Sequence, residues 1–169
     1  MNKKKIINDP VHGFITIPSE FIFDLIEHPY FHRLRRIRQL GLAQYVYPGA
    51  VHTRFHHAIG AMHITQIAIE TLRNKGHEIS ATEEEAVSAA ILLHDIGHGP
   101  FSHALEHTLV AHLKHEEISM MIMEKINESM GGALNMAIEI YKNVNPKKFL
   151  KQLVSSQLDM DRLDYLARD

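Results

Sequence analysis

The chain has 169 residues, with 18 Lys+Arg against 20 Asp+Glu and a formal net charge of −2 with His counted neutral, which excludes a basic nucleic-acid scaffold. Its length fits one domain, residues 1–169, at roughly 150 residues per domain, enough to hold a core without covalent staples. The absence of Cys excludes disulfides, iron–sulfur clusters and thiolate nucleophiles, and fits a reducing compartment. The unusual number is 14 His, about one residue in twelve, spread through the chain rather than gathered as a tag. Histidine titrates near neutrality and is the commonest metal ligand, so this excess points to a metal or acid–base site without locating it. No signal-peptide hydrophobic region follows the basic start, and no run reaches the ~18 apolar residues of a membrane span. These features predict a cytoplasmic protein with no membrane partner.

In chain order, "KIINDPVHGFITIP" places β-branched residues on both sides of Asp-Pro and Gly, the pattern of a small hairpin. The period then changes. Phe21, Leu25 and Ile26 form one helical stripe, and Phe31, Leu34, Ile37 and Leu40 form another after Pro29, with Gly41 as its stop. "LAQYVYPGAVHT" reads as an ordered loop. A long helix follows from about Arg54 to Asn74, and a capping box of Thr82 with Glu85 opens the next, running through Leu93 towards Gly97. Further helical patterns cover about Ser102 to Leu113, His115 to Met130, Leu134 to Lys142, Pro146 to Ser155 and Asp159 to Arg168. The fold class is therefore mostly α. The Met-rich stripe of Met120, Met121 and Met123 reads as core or subunit interface. The chain ends inside the periodic segment "LDYLARD" with no helix stop, which reads as an N-terminal fragment truncated at its C-terminal side.

Chemistry concentrates in three places. "LLHDIGHGPFSH" sets His94 and Asp95 at the exit of an apolar helix, with His98 and His103 beyond two Gly and a Pro. "HTRFHHAIG" carries His52, His56 and His57 beside Arg54, and "LDMDRLDYLARD" carries carboxylates at Asp159, Asp161, Asp164 and Asp169. A helix C-terminus favours a cation, and mixed His and Asp side chains brought from several helices could hold one. The residues alone leave His56 and His57, and the several Asp, as rivals. Arg33, Arg35, Arg36 and Arg38 alternate with apolar positions and read as a solvated or salt-bridged helix face.

These strings resemble the HD-domain phosphohydrolases, whose metal site combines a His, an adjacent His-Asp pair and a distant Asp. The resemblance is nearest to the deoxynucleoside triphosphate triphosphohydrolase, dGTPase-like branch. "NDPVHGFI", "FHRLRRIRQLG", "YPGAVHTRFHHAIG", "HDIGHGPFSH" and "LDMDRLDYLARD" stand in that order across nearly the whole chain. It implies an HD-type helical bundle with a small N-terminal β-hairpin, and metal ligands at His57, His94, Asp95 and Asp161. Two imidazoles and two carboxylates suit one divalent ion, Mn, Fe, Zn, Ni or Co, and less comfortably Mg.

The implied reaction is water attack at the α-phosphorus of a deoxynucleoside triphosphate, releasing deoxynucleoside and triphosphate. The resemblance puts Arg54 and Arg162 on the phosphates, Tyr165 and Asp169 near sugar and phosphates, and Gln39 and Leu40 at the sugar pocket. His98, His103 and His115 match pocket histidines, with His103 as the acid for the leaving 5′-oxygen and Glu106 orienting it, although relatives carry Asp at that position. Lys5, Asn8 and Arg35 match an effector-nucleotide site, while Glu27 and His32 depart from the base-reading residues there, against guanine-specific activation. A homo-oligomer is implied. Nucleic acid ranks low as a partner for want of a basic footprint. The alternatives are another HD-type nucleotidase or phosphodiesterase, or a non-catalytic nucleotide-binding or oligomerisation module.

Overall fold

The computed structural model describes residues 5–101 and 114–169. Strands β1 (Ile6–Asp9) and β2 (Gly13–Thr16) form the expected antiparallel hairpin, with Ile6 opposite Thr16 and Asp9 opposite Gly13. Eight α-helices follow among the described residues: α1 (Glu20–Glu27), α2 (Pro29–His32), α3 (Arg54–Asn74), α4 (Ala81–Leu93), α5 (His115–Ser129), α6 (Asn135–Tyr141), α7 (Lys148–Val154) and α8 (Met160–Arg168). The fold is mostly α, and no helix among those residues is long and apolar enough to cross a membrane. The expected helix over Ser102 to Leu113 lies outside the described residues.

Two helix boundaries differ from the sequence expectation. The second apolar stripe does not form one helix reaching Gly41. It is a four-residue helix, α2, continued by a 3-10 turn over Arg33–Arg36, after which Ile37 is extended. Phe31, Leu34 and Ile37 are nevertheless all buried, because a three-residue repeat suits a 3-10 turn as well as one face of an α-helix. The N-cap of α4 is Ser80 rather than Thr82: Ser80 Oγ accepts the Glu83 N–H, and Glu83 Oε2 accepts the Ser80 N–H. Both candidate boxes have a hydroxyl three residues before a Glu, and Glu85 is instead used by Ser19 Oγ, which ties the start of α1 to α4.

Helix α4 explains where the site sits. From Ala86 to Leu93 every residue is buried, so the helix is apolar on all sides and runs through the core against α1, α3, α6 and α7. Each Ile or Leu taken wholly out of water there contributes about 1.5–3 kcal/mol. The first polar side chains after that run are His94 and Asp95, released where the core ends. Helix α3 lies between α4 and α8, with the buried residues of its first turns facing both. Of the Met stripe, Met123 is buried in the core while Met121 is exposed.

The loop after α4 is pinned from two sides. Gly97 N–H donates to Ser119 Oγ at 2.8 Å, and a Cβ on Gly97 would stand 2.3 Å from His115 O and 2.4 Å from Ser119 N. Those neighbours are backbone and cannot swing aside. Gly97→Ala is therefore expected to lose about 3 kcal/mol of stability by overpacking and to push the first turn of α5 away from the loop. Urea unfolding measures this, and an unchanged midpoint would show that the contact yields. On the other side, the Arg33 guanidinium donates to Ile96 O and to His98 O, the latter at 3.0 Å. Arg33 is thus a fastener of this loop and not part of a solvated face. Arg38 similarly donates to Val51 O, while Arg35 lies over the Phe55 ring at 3.6 Å.

Candidate metal centre

Three helices bring one ligand group each to a common point. His57 comes from the first turn of α3, His94 from the C-terminal cap of α4 and Asp161 from the first turn of α8. One ligand atom from each lies within 4.8 Å of the others. His57 Nε2 is 2.9 Å from Asp161 Oδ1, and His94 Nε2 is 3.4 Å from both Asp161 Oδ1 and Asp95 Oδ1. Asp95 adjoins a second trio with His98 and His115, whose rings stack at 3.9 Å. Asp95 Oδ1 is 3.3 Å from His98 Nε2, and Asp95 Oδ2 accepts from Arg54 Nη1 at 2.6 Å.

The imidazoles have their outer nitrogens spoken for. His94 Nδ1 donates to Ile91 O at 2.5 Å and His57 Nδ1 to Asp164 Oδ2 at 2.8 Å. With Nδ1 committed in this way, Nε2 is the nitrogen each ring turns to the carboxylates, and the one a bound metal would take after displacing its proton. His94 Nε2 is buried without a hydrogen-bond partner. A buried polar nitrogen left without a hydrogen-bond partner costs about 1–3 kcal/mol. The donor set of two imidazoles with Asp161 and Asp95 fits a divalent ion, which would take that nitrogen as a ligand.

Electrostatics agree with a cation-seeking site. Burial would lower the His57 pKa, but hydrogen bonds with Asp161 and Asp164 outweigh it and hold it at about 9. Burial likewise opposes, and Asp95 and Asp161 overcome, a raised value at His94. Burial would raise Asp95, yet the neighbouring His94 and His98 keep it well below the usual carboxylate range. His98 is pushed down by burial against the pull of Asp95, so its neutral form dominates at pH 7.

The structure separates the rivals that sequence left open. His56 Nδ1 accepts the Thr53 N–H at 3.1 Å and caps α3, whereas His57 faces the cluster. Asp159 is the N-cap of α8, accepting the Ser156 and Arg162 N–H groups at 2.6 and 2.7 Å. Asp161 and Asp164, three apart on one helix face, take opposite nitrogens of His57. Arg54 is 2% exposed, so it is not a surface residue of a first helical turn.

Other predicted residues are more dispersed. Gln39 sits beside the short bridge between Arg38 and Thr53, with its Oε1 buried and unpartnered, and Leu40 is at the surface. Arg162 is exposed and donates to Gln157 O at 3.0 Å; Tyr165 is half-buried; Asp169 Oδ1 lies 2.8 Å from His52 Nε2. Lys5 pairs with Glu20 at 3.1 Å over the Phe23 ring, and Asn8 lies in β1 opposite Phe14. His103 and Glu106 lie outside the described residues.

The residues that sequence reading passed over stand behind His57. His12, left unassigned there, places Nε2 2.6 Å from Asp164 Oδ1. Arg168 donates to both oxygens of Asp164 and to both of Asp9. The spacing of Asp161, Asp164 and Arg168 on one helix face was the available signal. Burial would raise the Asp9 pKa, but hydrogen bonds from Arg168 and from the His12 and Val11 N–H groups hold it below its ordinary 3.8. A depressed carboxylate stabilises the fold fully above its unfolded value, and that contribution disappears as pH falls. Asp9→Asn is accordingly expected to lose less stability than the wild type between about pH 6 and about pH 3. Parallel acid limbs of the unfolding free energy in the two proteins would contradict it.

Comparisons with known proteins give the family of the chain. The HD domain model matches residues 54–169. The chain is 38% identical to the uncharacterized protein YwfO of Bacillus subtilis, over 100% of this chain and 40% of that protein. It is 33% identical to the human deoxynucleoside triphosphate triphosphohydrolase SAMHD1, over 98% of this chain and 33% of that protein. The crystal structure of a phosphohydrolase from Bacteroides thetaiotaomicron superposes with a TM-score of 0.95 at 59% identity, covering 97% of this chain and 41% of that one. The chain thus spans about two fifths or less of these relatives. With the family pattern matched across α3, α4 and α8, the chain belongs to the HD-domain family.

Proposed function

We propose that this chain is the metal-binding core of a phosphohydrolase that splits deoxynucleoside triphosphates, dGTP-like ones included, into deoxynucleoside and triphosphate by water attack at the α-phosphorus. The observation that carries the reading is the convergence of His57, His94 and Asp161 with Asp95 beside them and Arg54 bonded to Asp95. Those four residues would hold one divalent ion. When bound, the ion would polarise a phosphate oxygen and lower the pKa of a water beside it.

The surrounding side chains suit a nucleotide. The Arg54 guanidinium, anchored on Asp95, offers donors for phosphate oxygens, with Arg162 as a second cation. Gln39 Oε1 is a buried acceptor that a sugar hydroxyl would satisfy, beside Leu40. Tyr165 and Asp169 border the sugar and phosphates. His98 and His115 line the pocket, and His103 with Glu106 supplies the proton to the leaving 5′-oxygen. Lys5, Asn8 and Arg35 belong to a site for an effector nucleotide, and the active form is a homo-oligomer. The human relative named for triphosphohydrolase activity, 33% identical over 98% of this chain, supports the substrate class.

The test is chromatographic product analysis with each deoxynucleoside triphosphate and Mn2+, using wild type and a His94→Ala, Asp95→Ala double variant. Deoxynucleoside plus intact triphosphate, absent in the variant, is the expected result. Deoxynucleoside monophosphate plus pyrophosphate would point instead to another nucleotidase. Metal uptake without any product would leave a non-catalytic nucleotide-binding module.

A further inference from the structure

We propose that His12, in the turn of the N-terminal hairpin, is a positioning residue for the metal centre, acting through Asp164 to fix the orientation and tautomer of His57. The inference rests on the metal reading of His57 and extends it to residues at the opposite end of the chain.

The geometry is a continuous line of hydrogen bonds. His12 Nε2 meets Asp164 Oδ1 at 2.6 Å, and Asp164 Oδ2 accepts from His57 Nδ1 at 2.8 Å. Asp164 is 0% exposed, so no water competes for its oxygens. An ionised carboxylate only accepts, so both imidazole nitrogens that touch it must carry protons. When a metal displaces the Nε2 proton, that contact keeps the remaining His57 proton on Nδ1 and turns the Nε2 lone pair to the metal side.

The second half of the argument is how the line is held. Arg168 donates Nε to Asp164 Oδ2 at 2.8 Å and Nη2 to Asp164 Oδ1 at 2.9 Å, while Nη1 reaches Asp9 Oδ2 at 2.9 Å. Asp9 Oδ1 accepts the Val11 and His12 N–H groups at 2.9 and 3.0 Å, which sets the turn carrying His12. The same carboxylate thus shapes the hairpin turn and clamps the arginine that clamps Asp164. A free-standing hairpin would need the first contact but not the second. The hairpin is therefore wired to the back of His57 and not merely laid over the core.

His12 is the place to test this, because its side chain is partly exposed and the hairpin's own strand pairing does not involve it. His12→Ala is expected to bind Co2+ roughly tenfold more weakly than wild type, as for the loss of an outer partner of a metal-bound histidine. His12→Gln, which restores an N–H donor towards Asp164, should recover most of that loss. Circular dichroism checks that both variants keep their helices. A second readout needs no metal: in the chelated, 15N-histidine-labelled protein, the His57 Nδ1–H resonance should move in His12→Ala and return towards its place in His12→Gln. Equal Co2+ affinity in wild type and His12→Ala overturns the inference, as does weaker binding that His12→Gln does not rescue. If wild type takes up no Co2+, the metal reading falls, and an unmoved Nδ1–H resonance then overturns the positioning role as well.

Discussion

Gly60→Ala is expected to destabilise the protein by about 3 kcal/mol and to cripple metal binding, although in an open helix the same change would stabilise by up to about 1 kcal/mol. Gly60 lies in α3, three residues after His57. A Cβ there would stand 2.0 Å from Asp164 Oδ1 and 2.3 Å from Arg168 Nη2. Neither group is a loose side-chain end. Asp164 is tied to His57 and His12, and Arg168 to Asp9, so making room means breaking a buried ion pair. Helix propensity and local packing therefore predict opposite signs, and the larger packing effect wins. Urea unfolding together with Co2+ titration measures both consequences, and a Gly60→Ala protein as stable as wild type would show that α8 can retreat at little cost.

On the proposed function, Asp95→Ala should lower hydrolysis by about a thousandfold or more, since it would take an anionic ligand from the ion and forfeit several kcal/mol of charge stabilisation. It should also lower stability by about 3 kcal/mol, because the carboxylate that accepts from buried Arg54 is lost. Asp95→Asn distinguishes the two effects. Its amide oxygen can still accept from Arg54, so much of the stability should return while the rate does not. Product analysis and denaturant unfolding on both variants carry the comparison. Hydrolysis by Asp95→Ala within tenfold of wild type would remove Asp95 from the site.

The α-helical class and the three segments that supply the candidate site were legible in the sequence because each is local. The apolar run ending at His94 and Asp95 announces a core helix that releases polar groups at its exit, and the structure has that helix. What local pattern could not decide was which of several neighbouring like residues does what. His56 and His57 differ by one step around a helix, one capping α3 and the other facing the cluster. Asp159, Asp161 and Asp164 divide into a cap, a candidate ligand and a partner for the far side of the imidazole. The boundary after Pro29 went wrong because apolar spacing of three fits a 3-10 turn equally well. His12 was invisible for a different reason: its partner is 152 residues away, and no periodicity spans such a distance.

That remoteness has a bearing on how the protein comes to be folded. His57 and Asp164 are 107 residues apart, and Asp9 and Arg168 are 159 apart. Closing a flexible loop of the first length costs about 4 kcal/mol on the (3/2)RT ln n scale, a loss that no single hydrogen bond recovers. The helical scaffold must therefore draw α8 and the hairpin together before the contacts behind His57 can form. On a nascent chain, His57, His94 and Asp95 emerge well ahead of Asp161 and Asp164. The candidate ion site is accordingly incomplete until α8 has docked, and any uptake of metal there waits on that helix.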